Sequence, residues 1–94
     1  MVVQPYVETA LGNNKFRRIF HSKTNPNELV WHRDREDRTV SVLFGDDWEF
    51  QFDNELPFTL NAGLEFDIPM GTYHRMIKGN GPLMIEVQKH AKDC

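Results

Sequence analysis

The feature that most constrains the fold of this chain is a period-two alternation of apolar and polar residues, interrupted by turns. The alternation is clearest where Trp48, Phe50 and Phe52 alternate with acidic and amide residues. Successive side chains of a β-strand point to opposite faces, so this segment predicts a strand with one aromatic face. Turn residues recur roughly every 8 to 12 positions, and no long segment has a helical period.

The order of these patterns predicts an all-β chain with no substantial helix. Pro5 cannot donate to a ladder, so it restricts the first strand to the edge of a sheet. Regular short strands separated by turns are typical of a sandwich or a barrel, and a closed jelly-roll barrel also protects its edges. The pattern alone equally permits another small β-sandwich. The predicted strands cover residues 2–9, 15–21, 28–32, 39–44, 48–53, 58–60, 64–68, 73–77 and 83–88.

Composition limits the classes of function. The 94 residues predict one domain, residues 1–94, with a modest core, because a chain this short buries only roughly 60–65% of its unfolded surface. Eleven basic against fourteen acidic residues give a net charge of −3, which argues against binding nucleic acid through phosphates. The single cysteine, Cys94, indicates a reducing compartment. Without a signal-peptide pattern or an apolar run near the roughly 20 residues of a membrane span, we expect a cytoplasmic protein that contacts no membrane.

A corner rich in glycine and proline lies between residues 63 and 74. Pro69 fixes φ, Gly71 relieves the tight bend, and His74 opens the next predicted strand. Such a corner directs the side chain of His74 into the space that the two strands enclose. Gly63 begins the pattern, which reads glycine, five residues, proline, one residue, glycine, two residues, histidine.

This spacing resembles the second sequence motif of the cupin family, although the family's final asparagine is Lys78 here. Residues 32–45 are similar to the first cupin motif. With Gly45 at the final glycine of that motif, His32 and Asp34 take its two histidine positions and Arg38 takes its glutamate position. The resemblance, to a small single-domain cupin of the RmlC-like jelly-roll superfamily, implies a double-stranded β-helix.

The first motif also supplies candidate ligands. Residues two apart on an extended strand point to the same side, so His32 and Asp34 face the cavity together. In the cupin frame, His74 joins them from the opposite sheet. Two imidazoles and one carboxylate form the facial triad of non-haem iron(II) enzymes, and three ligands leave positions open for water or substrate. The resemblance therefore implies one divalent metal, which would be iron, manganese, zinc or nickel.

Arg38 leaves two interpretations open, because a guanidinium has no lone pair and repels a cation. In the first, Arg38 stands beside the metal and binds a carboxylate or phosphate of the substrate, with Lys78 as a second substrate-binding candidate. In the second, Arg38 pairs with Asp34 and no metal binds. His32 or His74 then acts as an acid–base group, as the metal-free epimerases of the family imply. His32, Arg38 and His74 are thus the catalytic candidates.

Two function classes follow from the resemblance. One is an enzyme acting on a small polar or anionic molecule, such as a sugar derivative or an organic acid. The other is a non-catalytic module that holds or senses such a ligand, and the fold does not decide between them. Small cupins commonly pair, so we also expect a homodimer formed through the segment around Val2, Val3, Tyr6 and Val7.

Overall fold

In the part of the chain that the structure describes, eight antiparallel strands form two sheets whose inner faces pack against each other. The computed structural model describes residues 5–26 and 29–90. The larger sheet has the order β1-β2-β8-β3-β6, and the smaller has the order β5-β4-β7. The described residues contain no α-helix, and none of their segments is a helix that could cross a membrane. The strands are β1 (Val7–Gly12), β2 (Lys15–Phe20), β3 (Arg38–Gly45), β4 (Glu49–Phe52), β5 (Phe58–Thr59), β6 (Glu65–Ile68), β7 (His74–Ile77) and β8 (Leu83–Lys89).

The core forms where the alternating apolar residues of both sheets meet. Phe50 of β4 is 1% exposed, and its ring centroid lies 4.8 Å from that of Phe66 on the opposite sheet. Trp48 is fully buried, and its indole N–H donates a 2.7 Å hydrogen bond to the carbonyl of Gly81. Burial of such apolar surface stabilises the fold by roughly 25 cal/mol per Å². The aromatic face predicted for residues 48–53 is therefore confirmed as core.

The first hairpin agrees with the sequence pattern except in the bounds of its first strand, which the sequence predicts over residues 2–9. β1 lies at the edge of the larger sheet, as Pro5 predicts, but it runs over Val7–Gly12 because it pairs with β2 up to the turn. Asn13 and Asn14 both have positive φ, which is the geometry of a two-residue hairpin turn. Residues 2–4 of the predicted strand lie outside the described residues.

The strand predicted at residues 28–32 is wrong for the part that the structure describes. His32 alone forms a bridge, with His74, and residues 29–31 join no strand. On the other side of His32, the carbonyl of Asp34 accepts a hydrogen bond from the N–H of Gly71 at 3.0 Å, which ties this segment to the corner.

Candidate functional site

His32 and His74 are paired across the edge of the smaller sheet. The N–H of each donates to the carbonyl of the other, at 3.0 and 2.9 Å. Their rings lie on the same side, with centroids 4.3 Å apart. The expectation that His74 approaches from the sheet opposite His32 is therefore wrong. Strand β3 of the larger sheet instead contributes Arg38, so the site is built from both sheets.

Asp34 lies between the two imidazoles and is buried. Its Oδ2 atom is 3.4 Å from Nε2 of His74, and its Oδ1 atom is 3.8 Å from Nε2 of His32. One ligand atom from each of the three residues lies within 4.8 Å of the other two. Two atoms bound about 2.1 Å from one ion lie roughly 3–3.5 Å apart, so the Asp34–His74 separation suits a shared metal ion.

Hydrogen bonds set the orientation of both imidazoles. Nδ1 of His32 lies 3.0 Å from the carbonyl of Val30, and Nδ1 of His74 lies 2.8 Å from that of Thr72. A carbonyl only accepts, so each Nδ1 carries the hydrogen and each Nε2 keeps a lone pair. This is the arrangement that metal-binding histidines adopt. Among residues 5–26 and 29–90, the buried Oδ2 of Asp34 has no hydrogen-bond partner, so a cation would satisfy an acceptor that is otherwise costly to bury. The residues present therefore fit a divalent metal.

Burial lowers the pKa of His74 below its usual value of 6.5. The hydrogen bond to the carbonyl of Thr72 acts against this and raises the pKa. The neighbouring His32 and the guanidinium of Arg38 lower the pKa, whereas the carboxylate of Asp34 raises it. His74 is consequently neutral at pH 7, which is the form that binds a metal.

Arg38 contacts the other oxygen of Asp34. Its Nη1 is 3.3 Å from Oδ1 of Asp34, and its Nη2 donates to Oε1 of Glu36, also at 3.3 Å. The buried Nε of Arg38 has no hydrogen-bond partner within the described part of the chain. Oδ1 of Asp34 therefore lies beside the guanidinium and nearest His32, whereas Oδ2 faces His74. Of the charged residues 33–38, Arg33 and Arg35 are exposed.

Comparison with solved structures identifies the fold. A cupin-2 domain protein from Shewanella frigidimarina matches with a TM-score of 0.66 at 21% identity, over 90% of this chain and 79% of that protein. The fold is that of a cupin domain. The cupin-type double-stranded β-helix predicted from the two motifs is thereby confirmed.

Two longer proteins share this cupin domain. A chain from the crystal structures of the DMSP lyases RdDddP and RnDddQII has a TM-score of 0.70 at 18% identity, over 82% of this chain and 37% of that chain. HppE in its Co(II) form has a TM-score of 0.70 at 14% identity, over 96% of this chain and 56% of that chain. The present chain thus spans less than two thirds of either protein. No protein-family model matches the sequence, and no curated protein matches it.

The cupin barrel encloses a cavity of about 400 Å³. His32, Asp34, Arg38 and His74 all line it, so four of the five predicted site residues meet at one place. The described lining does not include Lys78. The substrate-binding role of Lys78 remains a prediction, and this residue is not part of the described cavity wall.

Sequence reasoning missed two basic residues of the cavity, Arg18 and Lys89. Both continue an inner-face alternation, Arg18 between two phenylalanines of β2 and Lys89 after the buried Val87 of β8. This alternation is the sequence signal that could have placed both residues on the cavity side of their strands. Nε of Arg18 binds Oε2 of Glu8 at 2.6 Å, whereas Nζ of Lys89 lies over an aromatic ring.

Proposed function

We propose that this protein binds one divalent transition metal through His32, Asp34 and His74, and binds a small anionic molecule beside it in the cavity. The observation that carries the proposal is the convergence of three free lone pairs. In both histidines Nδ1 contacts a backbone carbonyl, which leaves the lone pair of Nε2 free, and among the described residues Oδ2 of Asp34 has no hydrogen-bond partner. A set of two imidazoles and one carboxylate suits iron, manganese, nickel or zinc. HppE, which shares the fold, has been solved with Fe(II) and with Co(II).

Each residue has a separate part in this proposal. The three ligands leave coordination positions open, and a bound metal supplies Lewis-acid polarisation of a ligand oxygen there. Arg38 holds Oδ1 of Asp34 at 3.3 Å and so keeps Oδ2 turned toward His74. The same arrangement serves an enzyme or a binding protein, which differ in whether the bound ligand is converted.

A second candidate function is supported by the contact between Arg38 and Asp34. In this alternative no metal binds, and the 3.4 Å approach of Asp34 to Nε2 of His74 supports that imidazole as an acid–base group. The protein would then act without a metal on a sugar derivative or an organic acid. The two candidates differ in one measurable quantity, the metal content.

Metal analysis of protein purified without chelators tests the proposal. We expect about one transition-metal ion per chain in the wild type. The His74→Ala variant removes a direct ligand, so its metal affinity should fall by more than the roughly 10- to 100-fold that loss of an outer partner costs. His21→Ala is the matched control, because His21 is an exposed histidine away from the cavity lining.

Equal metal content in the wild type and in a folded His74→Ala variant would contradict the proposal. A folded wild type without metal that loses ligand binding on His74→Ala would support the metal-free alternative instead. Circular dichroism of each variant separates loss of a ligand from loss of the fold.

A further inference from the structure

Apolar side chains form most of the cavity wall. Among the described residues that line it, none is Ser, Thr, Asn or Gln, and apart from the two imidazoles the hydroxyl of Tyr6 is the single neutral hydrogen-bonding side-chain group. A sugar presents a hydroxyl on most of its carbons, and each hydroxyl that loses water without gaining a partner costs free energy. The wall therefore selects against a sugar derivative. Its apolar part includes Val40, Phe50, Ile68, Met76, Ile85 and Val87.

The charged residues of the lining leave one cation uncompensated. Arg18 is paired with Glu8, and Arg38 is paired with Glu36. Within residues 5–26 and 29–90, Lys89 has no carboxylate at ion-pair distance, and its Nζ lies 4.7 Å from an aromatic ring centroid. A divalent metal beside the one carboxylate of Asp34 would add to this positive charge. The cavity consequently favours an anion.

Lys89 and Arg38 are also direct register partners on β8 and β3, and both line the cavity. Two like charges directly opposite each other across a ladder are unfavourable unless something lies between them. In addition, Nε of Arg38 is buried without an acceptor. An anion bound at this pair would separate the two charges and satisfy the unpartnered N–H.

We infer that the ligand of this cavity is a small carboxylic acid with an apolar body, anchored through its carboxylate by Lys89 and Arg38. The two free donors, Nζ of Lys89 and Nε of Arg38, match the two oxygens of a carboxylate. A cavity of about 400 Å³ suits a small molecule. This inference rests on the proposed ligand-binding function and names the chemical class of the ligand.

Four six-carbon probes test the inference by calorimetric titration of the protein as purified, with metal content measured on the same sample. Hexanoate has an apolar body and a carboxylate, and hexanamide has the same body without the charge. Gluconate has a carboxylate on a polyhydroxy body, and hexylphosphonate carries a phosphonate in place of the carboxylate. A hydrogen bond to a charged group contributes enough to expect about a tenfold tighter Kd for hexanoate than for hexanamide. Hexanoate should also bind more tightly than gluconate and hexylphosphonate.

Variants locate the anchor. Lys89→Gln should raise the Kd for hexanoate about tenfold and leave the metal content unchanged, because Lys89 is not a metal ligand. Lys23→Gln is the matched control: Lys23 is an exposed lysine of a loop and does not line the cavity. The Kd of Lys78→Gln for hexanoate tests the substrate-binding residue that the sequence predicts against Lys89, the residue that the structure indicates.

Several results would overturn the inference. Equal affinity for hexanoate and hexanamide would show that the cavity does not recognise the negative charge of the ligand. Binding of gluconate as tight as that of hexanoate would show that it does not select an apolar body. Tighter binding of hexylphosphonate than of hexanoate would show that the cavity prefers a phosphate-like group to a carboxylate. Weakening by Lys78→Gln and not by Lys89→Gln would place the anchor elsewhere. A wild type that lacks metal but prefers hexanoate would contradict the proposed metal site alone, whereas a metal-loaded protein without that preference would contradict this inference alone.

Discussion

Each imidazole of the candidate site is oriented by the backbone of its own chain segment. In both cases Nδ1 contacts the carbonyl two residues earlier in the chain, that of Val30 for His32 and that of Thr72 for His74. Each ring therefore needs only its local backbone to present Nε2. Their convergence on Asp34 then requires the pairing of the two segments, which is a tertiary event.

A surface carboxylate, Glu86, gives a pH-dependent contribution to stability. The hydrogen bond from Arg17 at 3.1 Å lowers the pKa of Glu86 below 4.5; partial burial raises it, and Lys15 lowers it further. The folded state therefore binds this proton less readily than the unfolded state. The stabilisation is fully present above pH 4.5 and is lost as the pH falls through the lowered pKa.

We expect Glu86→Gln to be less stable than the wild type at pH 7 by about 1 kcal/mol, the upper range for partly exposed ion pairs. The difference should shrink at pH 3.5. Urea titrations at both pH values measure it, and Glu55→Gln, at an exposed carboxylate, is the control. A difference of the same size at both pH values would show that the pair with Arg17 is not its source.

At the scale of an element, the corner before β7 depends on Gly71. This residue has φ of 79°, and a Cβ atom added there would meet no atom within 4 Å. A substitution is therefore limited by backbone conformation and not by space. The N–H of Gly71 also donates to the carbonyl of Asp34, so the corner supports the candidate metal site.

Gly71→Val should destabilise the protein by about 1–3 kcal/mol, the cost of a strained backbone conformation. Gly71→Asn is the matched variant, because asparagine tolerates positive φ better than a β-branched residue, and it should cost less. Urea midpoints of the two variants and the wild type provide the measurement. Equal midpoints for valine and asparagine would contradict the role of φ at this corner.

At the scale of the whole molecule, β1 offers an open sheet edge. All six of its residues are exposed, including Val7 at 54% and Leu11 at 41%. Unpaired edge strands readily pair with another chain. Of the segment predicted to form the dimer, Val2 and Val3 lie outside the described residues, and the ring of Tyr6 packs against Phe20.

We therefore expect a homodimer in which Val7 contacts the second copy. Light scattering at micromolar concentration should give twice the mass of the chain, and Val7→Asp should give the mass of a monomer. Leu56→Asp is the control, since Leu56 is 88% exposed in a loop between β4 and β5. A monomeric wild type would refute this prediction. The cytoplasmic location likewise stays a prediction.

The sequence by itself determined most of the strands and turns, because alternation and turn chemistry are local properties; the strand predicted at residues 28–32 is the exception. Trp48, Phe50 and Phe52 had to share one face of a strand, and Pro5 had to leave the first strand at an edge. The spacing of the glycine–proline corner and of His32 and Asp34 was enough to predict the cupin domain. These features depend on residues close together in the chain.

Only the tertiary structure decided which residues meet across strands. Register is set by long-range pairing, and a shift of one residue moves every side chain of a strand to the other face. That pairing placed His74 beside His32 on one sheet, and it placed Lys89, and not Lys78, in the cavity. The contact of Arg38 with Asp34 joins residues only four apart in the chain, and the sequence had already offered it as one of two interpretations.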